Sequence, residues 1–371
     1  MTPTTRQVET LIIGGGQAGL AVAYHLKQRR RPVTVVDASE RVGDSWRKRW
    51  DSLRVFTPAR YDGLPGWRFP ARSWSYPTKN EMANYLEAYA ARFELDVATG
   101  VSVTALARTQ GRFVVLTDQH RYLAANVVIA CGGYQVPRIP SFAADLDSGI
   151  TQLHSSQYRN PAQLPDGGVL VVGAGNSGAE IAVEAADEHR TWLSGRDVGQ
   201  EPVRAGGLPD RVFTPPFWFA LTRVLSVRTP LGRKARDNLA GKGLPLARVR
   251  RRDIAAAGVE RVPRVTGIDH GLPVLEDGRT LHPSTVMWCT GFRSDFSWID
   301  LPIFDSDGKP RHDRGVVAAE PGLYFVGLFF QSTAASSLIG GVGRDAARIA
   351  AHIAAHRAEV AHQQAASPIR T

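Results

Sequence analysis

One pattern occurs twice in this chain, and it leaves few folds open. Leu11-Ile12-Ile13 runs into Gly14-Gly15-Gly16-Gln17-Ala18-Gly19, a helix-like stretch follows over residues 20–26, and Val33-Thr34-Val35-Val36 ends at Asp37. Farther on, Val169-Leu170-Val171-Val172 runs into Gly173-Ala174-Gly175-Asn176-Ser177-Gly178, a second helix-like stretch passes through Ile181 and Ala185, and Thr191-Trp192-Leu193 ends at Ser194-Gly195-Arg196. Strand, glycine turn, helix and strand in this order carry their own physics. The first glycine (Gly14, Gly173) permits a tight turn. The second (Gly16, Gly175) lets a pyrophosphate approach bare backbone, and the third (Gly19, Gly178) lets helix and strand pack closely. The helix N-terminus adds unpaired N–H groups and the positive end of its dipole. Two copies therefore predict two dinucleotide sites on an α/β frame of two Rossmann-like three-layer units.

The residues that end the two copies differ. Asp37 stands where a carboxylate accepts hydrogen bonds from ribose hydroxyls. In the second copy the acid is absent, and Ser194 and Arg196 stand in its place; an acid would repel a 2′-phosphate, whereas arginine pairs with it through two hydrogen bonds. The first copy is thus expected to bind FAD and the second NADPH.

Composition bounds the rest. A chain of 371 residues with 43% hydrophobic content buries a large core and by size makes two or three domains. The net charge of +10 comes from scattered arginines, which speaks against a nucleic-acid stripe while attracting anionic cofactors. No run of eighteen apolar residues is present, and the glycine turn interrupts the early apolar segment, so neither a membrane span nor a signal peptide is predicted and a cytoplasmic location is expected. The two cysteines, Cys131 and Cys289, lie far apart; the chain lacks the adjacent dithiol of a disulfide relay, and both read as small buried hydrophobes. No metal is expected.

Between the fingerprints, residues 40–58 carry Trp46 and Trp50 among four arginines, including Arg47. Such a segment either lays an aromatic on a flat ring and offers cations to phosphate, or is a loop anchored in the core. Helical spacing of Met82, Tyr85, Leu86 and Tyr89 predicts a helix from about Asn80. Residues 97–116 alternate like a small antiparallel insertion, and Val127-Val128-Ile129-Ala130 reads as a buried strand ending at Cys131-Gly132-Gly133, where backbone can approach a ligand. Roughly 199–266 has no clear strands. Its aromatic and basic part, residues 213–236, reads as a packed helical insertion with a solvated basic face, or as a helix for a membrane surface or a lid over a substrate pocket. Residues 281–292 return a strand, Gly322 to Gly327 reads as a last strand, and Ser336-Ser337-Leu338-Ile339-Gly340-Gly341 opens a C-terminal helix. The residues after His362 are expected to fray.

GGGQAG, GAGNSG, His154-x-x-x-Tyr158, Gly43-Asp44-Ser45-Trp46-Arg47 and Trp288-Cys289-Thr290-Gly291-Phe292 together resemble the class B flavin monooxygenases, over about residues 8–350. The resemblance implies FAD at the first fingerprint, NADPH at the second, and O2 reduced at flavin C4a to a (hydro)peroxyflavin. It also implies that the C-terminal helix points its N-terminus at the flavin, near Gly327, Ser337 and Leu338, and that Thr290-Gly291 adjoins the cofactors. Three departures stand out. Tyr158 occupies the place of the tryptophan found in Baeyer-Villiger members, and Ser148 and Ile150 replace the phenylalanine and glycine of the linker signature. No asparagine follows the Trp46-Arg47 segment; Phe56-Thr57-Pro58 stands there, which makes Thr57, with Trp46, the candidate for contact with the reacting centre.

The expected architecture is an FAD-binding domain of residues 1–162 and 296–371, interrupted by an NADPH-binding domain of 163–295 that carries a helical insertion at about 199–266. The expected function is NADPH-consuming insertion of one oxygen atom into a small nucleophilic substrate by N-, S- or aromatic oxidation, with O2 and that substrate as partners and a homo-oligomer as a possible assembly. Alternatives are an NADPH oxidase or flavin reductase, Baeyer-Villiger oxidation, and a redox-sensing flavoprotein.

Overall fold

The computed structural model describes residues 4–239 and 243–366, with backbone alone from 357 onward. β1 (Thr4–Ile13), α1 (Gln17–Gln28) and β2 (Val33–Val36) make the opening unit, and the short α2 (Asp44–Arg47) follows. After an irregular stretch come α3 (Lys79–Arg92), β3 (Val97–Ala98) and the run β4 (Val103–Thr109), β5 (Arg112–Thr117) and β6 (His120–Ile129). β7 (Val136–Pro137) and β8 (Thr151–His154) lead to β9 (Val169–Val172), α4 (Asn176–Ala185) and β10 (Thr191–Ser194), which repeat the opening unit. Helices α5 (Leu208–Phe219), α6 (Pro230–Leu239) and α7 (Arg251–Ala256) precede β11 (Glu260–Val262), β12 (Val265–Asp269), β13 (Leu272–Leu275), β14 (Thr285–Trp288) and β15 (Phe292–Arg293). β16 (Leu323–Phe325) and α8 (Val342–Ala366) close the described chain.

The strands form two main sheets. The first has the order β3-β2-β1-β6-β5-β4 with β16 also paired to β6; β1, β2, β3, β6 and β16 are parallel, and β4, β5 and β6 form the antiparallel insertion. The second sheet, β11-β10-β9-β14-β8, is parallel throughout. β8 therefore joins the second sheet ahead of residue 163, and β11 and the start of β12 fall inside the stretch that reads as strandless. Both elements are short: Glu260–Val262 has one buried residue, so neither hydrophobic alternation nor a buried run announces it.

Burial explains the layers. In β9, Val169 and Val171 enter one core cluster while Leu170 and Val172 enter another on the opposite face, the pattern of a parallel strand covered on both sides. On the first sheet, Leu20 and Leu26 of α1 pack with Ala346, Ile349 and Ile353 of α8, each 1% exposed or less. Each such leucine or isoleucine contributes about 1.5–3 kcal/mol of transfer free energy. The C-terminal helix is thereby fixed against the first fingerprint helix. α3 starts one residue before Asn80, because Thr78 caps it: Glu81 N donates to Thr78 Oγ1 at 3.2 Å and Thr78 N donates to Glu81 Oε2 at 2.7 Å, a reciprocal box at the helix start. Residues 367–371 of the tail that is expected to fray lie outside the described residues.

Candidate functional site

The two glycine turns are built alike. Gly14 and Gly173 have φ of 110° and 112°, a conformation that side chains rarely adopt. A Cβ on Gly14 would sit 2.6 Å from the Ala130 carbonyl oxygen, and one on Gly173 would collide with the Cys289 carbonyl. A Cβ on Gly19 or Gly178 would collide with the carbonyl of the turn's first glycine. Gly16 and Gly175 are different: nothing lies within 4 Å of an added Cβ. They are the N-caps of α1 and α4, with φ, ψ of −77°, −173° and −78°, −173°, and no side chain caps either helix. Each turn thus presents uncapped helix N–H groups to a space the chain leaves open, which fits a pyrophosphate at both places. A Cβ added at Gly132 (φ 67°) would likewise meet nothing within 4 Å, whereas one at Gly327 would sit 2.9 Å from Ala18 Cβ.

Around the first turn, the Asp37 carboxylate accepts from Gly15 N at 2.5 Å and Ser39 N at 2.7 Å, which fixes its orientation at the end of β2. Trp46 is half-buried and packs on the core under α1. Arg47 donates to Val42 O (2.6 Å), Asp44 (3.2 Å) and Glu87 (2.9 Å), so its guanidinium ties α2 to α3. The Thr57 hydroxyl donates to Asp62 Oδ1 at 2.5 Å. Asp62 is fully buried, its other oxygen has no hydrogen-bond partner, and burial pushes its carboxyl up to about 8, against the pull of Thr57. Nothing in the run Tyr61-Asp62-Gly63 flags this acid, because its state depends on what surrounds it.

Around the second turn, Asn176 accepts from Ala247 N at 2.9 Å and donates to Pro245 O at 3.1 Å, while Ser177 is half-buried beside it. The Ser194 hydroxyl donates to Pro263 O at 2.9 Å and accepts from Val265 N at 3.0 Å; it joins β10 to the loop after β11. Arg196 is exposed. Thr290 donates its hydroxyl to Arg138 O, and the Gly291 carbonyl lies 3.0 Å from His154 Nε2. This motif and the linker histidine therefore meet where the chain crosses between the sheets. Arg49 lies over the rings of Tyr134 and Phe292 at the same crossing, 5.6 and 5.3 Å from their centroids.

A cavity of about 400 Å³ opens beside Asp62, lined by Arg60, Tyr61, Trp67, Arg68, Trp218 and Gly340 among others. Two parts of its wall are remote in sequence: the Tyr61 and Trp218 rings stand 4.9 Å apart, and Gly340 has no room for a Cβ against the Tyr61 carbonyl. Trp218 belongs to α5, which is held down at several points. Asp210 is buried and accepts from the hydroxyls of Tyr76 and Thr214 and from Gly206 N (2.9 Å). Val227 N donates to Ser332 O at 3.0 Å, and Ala334 N donates to Leu225 O at 2.9 Å. The aromatic and basic segment is thus packed across the cavity and the entry to α8, with Leu208, Val212 and Phe219 exposed on its outer side. Ser337 and Leu338 are half-buried in that entry, directly before α8. Among the described residues, no helix is long and apolar enough to cross a membrane.

Residues 11–199 match the family described as pyridine nucleotide-disulphide oxidoreductase. The chain belongs to that family. The CzcO-like oxidoreductase of Geobacillus kaustophilus is 41% identical over 91% of this chain and 96% of its own length. The probable indole-3-pyruvate monooxygenase YUCCA3 of Arabidopsis thaliana is 28% identical over 95% of this chain and 88% of its own. Among solved structures, a flavin-containing monooxygenase from Stenotrophomonas maltophilia superposes with a TM-score of 0.76 at 27% identity, covering 94% of this chain and 99% of that one. These likenesses support a flavin-dependent monooxygenase that uses a flavin and a nicotinamide cofactor, on a frame of two Rossmann-like domains. The family description includes disulphide chemistry, yet Cys131 follows β6 of the first sheet and Cys289 follows β14 of the second, and burial pushes both thiols up to about 12. Neither is a thiolate near neutral pH.

Proposed function

We propose that this oxidoreductase, with FAD bound, consumes NADPH to insert one atom of O2 into a small nucleophilic organic substrate and releases the other as water. The observation that carries the reading is the pair of glycines, Gly16 and Gly175, that face open space where their fingerprint partners face backbone. Bound FAD would supply the two-electron chemistry between the nicotinamide and O2. Gly14, Gly16, Gly19 and Asp37 would hold its diphosphate and ribose, with Gly132, Trp46, Arg47, Gly327, Ser337 and Leu338 around it. Gly173, Gly175, Asn176, Ser177, Gly178 and the region of Ser194 and Arg196 would hold NADPH, with Thr290 and Gly291 at the crossing between the two. The FAD unit would comprise both chain ends and the NADPH unit the middle of the chain.

The substrate would occupy the cavity between Tyr61, Trp67 and Trp218, whose aromatic rings offer apolar surface while Arg60 and Arg68 add positive charge. Behind its wall, between the lining residues Tyr61 and Gly63, lies the buried pair of Thr57 and Asp62, whose carboxyl burial keeps protonated near neutral pH. A second reading, an NADPH oxidase that releases hydrogen peroxide, is favoured by the commitment of the Thr57 hydroxyl to Asp62, which leaves that hydroxyl without a free donor.

The test is NADPH turnover under 18O2 over a panel of amines, sulfides, indoles, ketones and indole-3-pyruvate, the last included because the plant relatives are named for it. Incorporation of one labelled oxygen into a product, coupled to NADPH consumption, is the expected result. Hydrogen peroxide equal to the NADPH consumed, with no labelled product anywhere in the panel, establishes the oxidase instead.

A further inference from the structure

A second cavity, of about 230 Å³, lies directly against the second glycine turn. Its lining is Ala174, Asp197, Leu246, Arg251, Ile254 and Arg261. Ala174 is the middle residue of Gly173-Ala174-Gly175. Leu246 and Ile254 are apolar and almost fully buried, a floor suited to a flat base. The polar residues come from three separate places: Asp197 from the loop after β10, Arg251 from the start of α7, and Arg261 from β11. Arg196, the arginine that the sequence singles out, is exposed and lies outside this lining.

The charges here are arranged unequally. Asp197 lies two residues past Gly195, the position that corresponds to Asp37, but it lines this cavity, and a carboxylate facing a 2′-phosphate repels it. It is not left free to do so: Arg251 Nη2 lies 2.6 Å from its Oδ2, and Gly199 N donates to its Oδ1 at 2.8 Å. Arg261 donates to the Gly195 carbonyl at 2.8 Å, which holds its guanidinium at the end of β10. Each guanidinium keeps N–H groups beyond those it uses on the protein, and two such groups flanking one cavity suit a dianionic phosphate.

We propose that this cavity binds the 2′-phosphorylated adenosine end of the coenzyme, that Arg251 and Arg261 bind the phosphate, and that Arg251 decides coenzyme choice by neutralising Asp197. The inference rests on the reading of the second fingerprint as an NADPH site. With Arg251 absent, Asp197 faces the phosphate uncompensated, so that one substitution both removes a donor and restores a repulsion. The ribose hydroxyls of NADH meet no such penalty.

Calorimetric titration of the FAD-loaded protein with adenosine 2′,5′-bisphosphate and with 5′-AMP tests this without turnover. The parent protein is expected to favour the bisphosphate by about tenfold or more, the scale of one or two hydrogen bonds to a charged group. Arg251→Ala should bring the two probes close to parity by weakening the bisphosphate alone, and Arg261→Ala should narrow the gap. Adding Asp197→Asn to Arg251→Ala should restore part of the preference, and Arg251→Lys should retain part of it; a merely structural ion pair gives neither rescue. A preference that survives Arg251→Ala, or a double variant no better than the single one, overturns the proposal while leaving the NADPH reading intact. A parent protein that binds both probes equally overturns both.

Discussion

At Gly16 an added Cβ meets nothing within 4 Å and the backbone already has φ −77°, so Gly16→Val should fold and yet lose flavin, giving a colourless protein with parental far-UV circular dichroism. Gly19→Val places its side chain into the Gly14 carbonyl and should fail to fold. A yellow Gly16→Val protein with full flavin content would remove the first fingerprint from the cofactor site. Asp62 carries a prediction of a different kind. Its folded pKa, raised to about 8 by burial, lies well above the value of about 3.9 expected in the unfolded chain. Between those pH values the folded state keeps a proton that the unfolded state has lost, so the contribution is full at low pH and is lost as pH rises, by up to about 1.4 kcal/mol per pH unit. Asp62→Asn removes this titration. Its melting temperature, relative to the parent, should climb from about pH 5 to about pH 8, and a difference that stays flat over that range would mean that Asp62 is ionised throughout.

The elements that flank the cavity have separate anchors, which makes them separable by experiment. Asp210 anchors α5 through Tyr76, Thr214 and Gly206, and Tyr76 alone among these belongs to the loop beside the first sheet. Tyr76→Phe should weaken that docking by about 1.5–3 kcal/mol, the range for a hydrogen bond to a charged group. Amide hydrogen exchange over α5 should accelerate accordingly while exchange in α1 stays slow. Thr78→Ala is the control: loss of the α3 cap lowers stability by about 1 kcal/mol and should leave exchange in α5 unchanged. If both variants open α5 equally, the Tyr76 contact is not what holds it.

Across the whole molecule, the two thiols sit half-buried at the ends of strands in different sheets, and desolvation raises both above the ordinary thiol range. The Cys131→Ser, Cys289→Ser double variant should therefore keep NADPH-driven flavin reduction at the parental rate, and thiol reagents should label the native parent more slowly than the unfolded chain; loss of reduction in a folded, flavin-loaded double variant would restore a disulfide mechanism. What the sequence determined by itself is the repeated unit. Strand, glycine turn and helix are written in contiguous residues, so Gly14 to Val36 and Gly173 to Leu193 announce their conformation without help from the rest of the chain. The antiparallel strands β4 and β5 within residues 97–116 and the C-terminal helix were legible for the same local reason, whereas Val97–Ala98 pairs with β2 as a parallel edge strand. Tertiary structure alone decided where β8 pairs, since four residues with one buried side chain suit either sheet. It decided that the Ser194 hydroxyl is spent on Pro263 and Val265, that Arg251 and Arg261 reach the second glycine turn ahead of Arg196, and that Tyr61, Trp218 and Gly340 share one cavity. Each of those facts depends on segments tens to hundreds of residues apart meeting in space, and hydrophobic period and turn chemistry report only on neighbours along the chain. The charge state of Asp62 is the sharpest case, because desolvation is a property of the surroundings and not of the residue.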